Sequence, residues 1–190
     1  MLYFSHHLMK AWIEMVKIVA LNAQNLADWD KANTPFDLTG EIQPSLENGQ
    51  WRIEETLFAQ AKQTKFPAEQ PDESYLTDPH KQLYFAYLDG AVVGQIRMYQ
   101  NWNKFCYIEN LAIKNGYRHN GIGHQLFSAA ETWAHDQHLL GLQLEAQNDN
   151  LNACRFYQKQ GMQLGGVDTL FYYGNPNINV ALQWYKLFEK

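Results

Sequence analysis

Arg118-His119-Asn120-Gly121-Ile122-Gly123, and further on Asn150-Leu151-Asn152-Ala153-Cys154-Arg155-Phe156-Tyr157, are the two stretches that decide how this chain is read. The first follows a strand-like run ending at Ile113 and opens a helical pattern from about Gly121 to His138. In that pattern Ile122, Leu126, Ala129, Ala130 and Trp133 recur at three and four residues. Glycines at such an entry let the backbone approach a ligand closely. The first N–H groups of the helix lack internal partners, and with the helix dipole they form an anion site worth about 0.3–1 kcal/mol per charge when exposed. Arg118 adds a permanent positive charge beside it. No Gly-Lys-Ser/Thr follows, so this is not a nucleotide P-loop. Taken alone, R-x-x-G-x-G also describes a glycine-rich helix entry that binds nothing.

Outward from this turn the chain alternates strands and helices. Asn150–Gln160 is predicted to be a second helix, ended by Gly161 as a C-cap. Upstream, Cys106–Ile113 reads as a strand. Leu83–Leu88 and Ala91–Tyr99 read as a hairpin, because Asp89-Gly90 supplies the positive φ a tight turn needs. Val16–Leu21 reads as a first strand and Asn25–Ala32 as a short helix broken by Thr34-Pro35. Asp37–Gln43 and Trp51–Phe58 are strand candidates joined across Glu47-Asn48-Gly49, and the polar, proline-bearing Lys62–Pro79 is a loop with space for a helical turn. Leu142–Ala146, Met162–Tyr173 and Asn179–Leu187 complete the strands. The pattern predicts an α/β (α+β) fold.

Composition agrees with one folded domain. The chain has 190 residues, 46% of them hydrophobic and 14% aromatic, which is enough to fill a core and excludes disorder over most of the length. The net charge of −5 argues against a duplex-DNA partner and leaves room for a cationic one. No apolar run is long enough to span a bilayer. Residues 1–14 make a poor signal peptide and are expected to be an extension outside the fold, with 15–190 forming a single domain and the cytoplasm as the default location. Cys106 and Cys154 have no disulfide or metal-ligand pattern, the seven histidines are scattered, and no metal is expected.

Taken together, the two opening stretches resemble the GNAT N-acetyltransferases. Motif A of that family is R/Q-x-x-G-x-G/A, and its next motif is N-x-x-A-x-x-F/L-Y-x-x-x-G-F. Only Met162 departs, standing where an aromatic is usual, a change of packing rather than chemistry. The resemblance implies a GNAT fold: a mixed, mostly antiparallel central sheet, splayed at the acetyl-CoA site and flanked by helices. It also implies acetyl-CoA as co-substrate. Its pyrophosphate would lie on Arg118, His119, Asn120, Gly121, Ile122 and Gly123. Its pantetheine arm would lie along Leu111, Ala112 and Ile113, where that strand splays from Leu142–Ala146. Asn150 would touch the same arm, or would simply cap its helix, for which Asn is equally suited.

Transfer to an amine needs a neutral nitrogen, a polarised carbonyl and a proton for the departing thiolate. Tyr157 matches the family's proton donor to sulfur; its other reading is a packed helix tyrosine. Glu109, inside the mostly apolar Tyr107–Ile113, suits a general base, worth about 10²–10⁴-fold. Equally, it could bind a cationic acceptor or face solvent.

A closer resemblance is carried by Thr34-Pro35-Phe36, Glu47–Trp51, Asn101-Trp102-Asn103, Tyr107-Ile108-Glu109, Leu142–Asn150 and Val167-Asp168-Thr169-Leu170. Together, over about Asp28 to Phe188, these are similar to the streptothricin acetyltransferases, which acetylate the β-lysine arm of that antibiotic and inactivate it. The acceptor implied is a polyamine-like cation, with Glu109, Glu145, Asp168 and Tyr172 as its candidate contacts and Glu54 and Glu55 in reserve. Glu145 could instead bond the following loop, Asp168 could hold a bulge or turn, and Tyr172 is open. Trp102 reads as packing or a hairpin end, and both cysteines as packing. The aromatic tail Trp184–Phe188 reads as a last strand, with a homodimer contact as a second use. Other readings of the whole chain are an acetyltransferase for another small amine or a protein lysine, and an acyl-CoA-binding module without catalysis.

Overall fold

A computed structural model describes residues 16–175, 178 and 180–189; the expected extension, residues 1–14, lies outside them. In chain order the described elements are β1 (Lys17–Ala20), β2 (Phe36–Glu47), β3 (Gln50–Thr64), β4 (Lys81–Leu88), β5 (Ala91–Gln100), β6 (Cys106–Ile113), α1 (Ile122–Asp136), β7 (Gly141–Gln147), α2 (Leu151–Lys159), β8 (Gln163–Asp168) and β9 (Ala181–Leu187). This is the α/β composition expected. Contacts divide it into two compact units. One holds the described residues up to Pro35 with Lys65–Leu139, and the other holds Phe36–Thr64 with the described residues from Leu140 onward.

In the first unit β1, β4, β5 and β6 pair antiparallel in that order. The β4–β5 hairpin turns at Asp89 and Gly90, with φ of 50° and 78°, the left-handed pair that matches strand twist. Helix α1 buries Ile122, Leu126, Phe127, Ala130, Trp133 and Ala134 along one face. Gly94 of β5 is what lets it settle: a Cβ there would sit 2.9 Å from Ile113 and 3.0 Å from Leu126. A second cluster gathers Trp29, Tyr75, Leu83, Phe85 and Val92. The short helix expected over Asn25–Ala32 contracts to one 3-10 turn, Leu26–Asp28, because Asp30 takes a left-handed φ of 64° that no helix can pass through.

In the second unit β7, β9 and β8 pair antiparallel around the fully buried Trp184, Leu142 and Leu182. The β2–β3 ribbon turns at Asn48 and Gly49 and reaches Thr64, beyond the expected Phe58. Its ladder supplies the backbone bonds, while Gln60, Lys62 and Gln63 stay at the surface. The ribbon is tied to the turn between β7 and α2: the Ile42 N–H donates to the Asn148 carbonyl at 2.8 Å, and Asn148 Nδ2 returns a bond to the Ile42 carbonyl at 3.3 Å. Met162, in the aromatic's place, is buried, as a packing substitute should be. Strand β8 ends at Asp168 rather than Tyr173. The reason is local: Asp168 Oδ1 accepts the N–H groups of Leu170 and Phe171 at 2.8 and 3.0 Å, which bends the chain into a turn. Among the described residues, no helix is long and apolar enough to cross a membrane.

Candidate active site

The turn before α1 belongs wholly to the first unit. His119 and Gly121 both have positive φ, 63° and 77°, and Gly121 is the N-cap. Left-handed residues at this spacing swing successive N–H groups toward one side as a nest, which runs on into the unpaired first turn of the helix. That first turn contains no acidic residue, so no carboxylate competes for those donors. Arg118 closes the turn from behind. Its Nε donates to the Ile113 carbonyl at 3.0 Å and its Nη2 to the Pro35 carbonyl at 3.5 Å, while Asn120 Nδ2 donates to the Arg118 carbonyl at 3.1 Å. Thr34 Oγ1 accepts the Asn115 N–H at 2.7 Å, so Thr34-Pro35 clamps this loop. Unpaired N–H groups at a helix entry beside a guanidinium suit a pyrophosphate. Leu111, Ala112 and Ile113 precede the turn, half-buried in β6 and paired with Ile96, Gln95 and Gly94 of β5.

Glu109 is set apart by a β-bulge. Arg97 pairs with Asn110 and Met98 with Ile108, so Glu109 is the extra residue between them. Bulges re-aim side chains, and this one carries a carboxylate to the surface. Its Oε2 accepts from Tyr75 Oη at 2.7 Å and Arg97 Nε at 2.8 Å. Arg97 Nη2 pairs with Glu69, and the guanidinium lies 4.9 Å from the centre of the Trp29 ring. Burial, and then the Glu109 bond, push the Tyr75 phenol far above the ordinary tyrosine range, so it remains a donor. Both donors converge on one oxygen, leaving Oε1 with no partner among the described residues.

The remaining candidates lie in the second unit. Asn150 caps α2, its Oδ1 accepting the Ala153 N–H at 3.3 Å. Tyr157, half-buried in α2, has its phenol pushed well above the usual range, first by burial and then by Cys154 and Glu145 nearby. A phenol so placed is protonated at any working pH. Burial, reinforced by Glu145 and Asp149, pushes the Cys154 thiol up to about 12, which makes it a packing residue. Glu145 and Tyr172 meet directly: Tyr172 Oη donates to Glu145 Oε2 at 2.7 Å. Glu145 Oε1 is buried without a partner, and burial raises this carboxyl above its ordinary value despite the Tyr172 bond. Asp168 Oδ1 holds the turn after β8. Glu55 pairs with Arg155 through both carboxylate oxygens. Trp102 is exposed at the tip between β5 and β6.

Sequence reasoning missed Arg97, Tyr75 and Glu69. One signal was available: Gln95 and Arg97 stand two apart inside the otherwise apolar Val92–Met98, both are buried, and period two puts them on one face. Glu69 sits in a polar loop with no periodicity to mark it. Among the described residues, no group of three or more His, Cys, Asp or Glu could hold a metal ion.

Three comparisons bear on this arrangement. The model of the acetyltransferase (GNAT) family matches residues 46–162. Streptothricin acetyltransferase A of Bacillus subtilis (strain 168) is 35% identical over 172 residues, covering 90% of this chain and 99% of that protein. A 1.6 Å crystal structure of a Bacillus anthracis str. Ames protein, assigned as a streptothricin acetyltransferase and in complex with acetyl coenzyme A, superposes with a TM-score of 0.84 at 29% identity, covering 91% of this chain and 99% of that one.

Proposed function

This chain belongs to the GNAT acetyltransferase family and is an acetyl-CoA-dependent N-acetyltransferase; from that premise we propose that it acetylates a primary amine of streptothricin, on the β-lysine arm, by direct transfer in a ternary complex, and so confers resistance. The observation that carries the acceptor is the likeness to the B. subtilis enzyme, which runs the length of both proteins instead of stopping at the coenzyme motifs.

Acetyl-CoA supplies the acetyl thioester. The nest at His119–Gly121 and the first turn of α1 hold its pyrophosphate with backbone N–H groups, and Arg118 keeps that turn in shape. Glu109 presents Oε1 to the acceptor's ammonium while Tyr75 and Arg97 hold Oε2. Glu145 takes a proton that the amine must lose, relayed through water: its Oε1 has no partner among the described residues, and its raised pKa brings it closer to the working pH, where a general base is most effective. The nitrogen then attacks the thioester carbon, and the C–S bond breaks. Tyr157, kept protonated by burial, gives its proton to the departing sulfur, and the second proton lost by the acylated nitrogen restores the phenol.

The test is thiol release from acetyl-CoA on addition of streptothricin, with the product's mass measured. The reading requires streptothricin-dependent release and one added acetyl group. Turnover of polyamines or lysine peptides with none of streptothricin would overturn it.

A further inference from the structure

Arg97 is an unusual residue to bury. Its side chain is 4% exposed, yet the two carboxylates it holds, Glu69 and Glu109, are 47% and 42% exposed. Burying a guanidinium carries a desolvation cost that surface pairs seldom return. The third nitrogen, Nη1, is buried with no partner among the described residues, which adds to that cost. An apolar side chain would serve the fold better. What Arg97 achieves is geometric: one planar fork, Nε to Glu109 and Nη2 to Glu69, holds two carboxylates side by side that would otherwise repel. Both carboxylates are anchored from other directions as well. Glu109 is aimed by its bulge and bonded by Tyr75. The Glu69 backbone N–H donates to Asp30 Oδ2 at 3.3 Å, which pins its loop. The trio carries a net charge of −1 with two exposed carboxylates.

We propose that Arg97 is a positioning residue for acetyl transfer, holding Glu109 for the reacting amine and Glu69 for a second cationic nitrogen of the same acceptor, so that the enzyme selects diamines over monoamines. This rests on the assignment of Glu109 to the acceptor, but not on streptothricin being that acceptor. Neither Arg97 nor Glu69 need touch the transferred group.

The experiment compares wild type, Glu69→Gln, Arg97→Lys and Arg97→Met with three acceptors: streptothricin, 1,5-diaminopentane and pentylamine. Wild type is expected to favour the diamine over the monoamine. Glu69→Gln should reduce the diamine-to-monoamine ratio of kcat/KM by about two- to fivefold, the range of a solvent-exposed ion pair. Arg97→Met should raise the diamine KM by about 30-fold or more, as losing one member of a buried charge cluster does, with the KM for acetyl-CoA little changed. Arg97→Lys restores the charge but not the fork and should fall between them. A purely structural role would instead raise both KM values and lower the melting temperature without altering the ratio. An unchanged ratio in Glu69→Gln and Arg97→Lys overturns the inference, as does a wild type that does not prefer the diamine. Failure of streptothricin alone, with the diamine preference intact, overturns the proposed acceptor and leaves Arg97 in its role.

Discussion

Glu145→Gln should make the enzyme slower and more stable at once. Glu145 gives one oxygen to Tyr172 at 2.7 Å and buries the other without a partner, and burial raises its carboxyl above the ordinary value. Its pKa in the folded protein therefore lies above that in the unfolded chain, and the folded state prefers the protonated acid. The stability this group contributes is present in full below the unfolded value and is lost as pH rises through the folded one. At pH 8 wild type bears that loss; a neutral amide does not. A buried polar atom without a partner costs about 1–3 kcal/mol. The glutamine still accepts from Tyr172 but leaves an N–H group where Oε1 was, so the net gain belongs at the low end, about 1 kcal/mol. For a chain of this size that is about 2–4 °C in melting temperature. Calorimetry from pH 5 to 8.5 should show the variant melting higher at pH 8 and the gap closing as pH falls. Steady-state assays should show kcat lower by about 10²–10⁴-fold, the range of a lost general base. A variant no more stable at pH 8, a gap independent of pH, or a kcat within twofold of wild type would refute the reasoning.

Tyr157→Phe should lower kcat by about 10²–10⁴-fold while leaving the Kd for acetyl-CoA near wild type; an unchanged kcat removes the phenol from proton delivery. Gly121→Asp places a Cβ at a φ of 77° and a negative charge in the nest, and should abolish coenzyme binding by titration calorimetry; retained affinity would reassign the turn. With the Cys154 thiol at about 12, only about one molecule in 10⁴ carries the thiolate at pH 8, so iodoacetamide should leave native activity intact over hours. Rapid inactivation protected by acetyl-CoA would show an accessible thiol at the site.

Local signals in the chain were legible wherever one short segment carried the whole structural instruction. Asp89-Gly90 set the hairpin, the two ends of β6 fall at Cys106 and Ile113 as its composition indicates, and Gly161, with φ of 81°, closes the second helix. The misreadings share a physical cause. Val167–Tyr173 looks like a continuing strand until the Asp168 carboxylate captures two backbone N–H groups. The ribbon strand continues past Phe58 because its partner reaches that far, which no property of residues 59–64 announces.

The two halves of the chemistry differ in the same respect. The proposed pyrophosphate site consists of backbone N–H groups from one turn, so its determinants must be contiguous and they appear as a motif. The proposed acceptor contacts are side chains whose neighbours are distant in sequence: in one unit Glu69 comes from a loop, Tyr75 from a 3-10 turn and Arg97 and Glu109 from two strands, and in the other Glu145 finds Tyr172 across 27 residues. A bulge of one residue, invisible in composition, decides whether Glu109 faces in or out. Substitutions that retune the acceptor are therefore expected to scatter over β5, the 65–72 loop and the turn after β8, while the coenzyme turn tolerates few changes. Selecting variants for acetylation of a bulkier diamine and mapping the changes would test this; enrichment within residues 118–123 would contradict it.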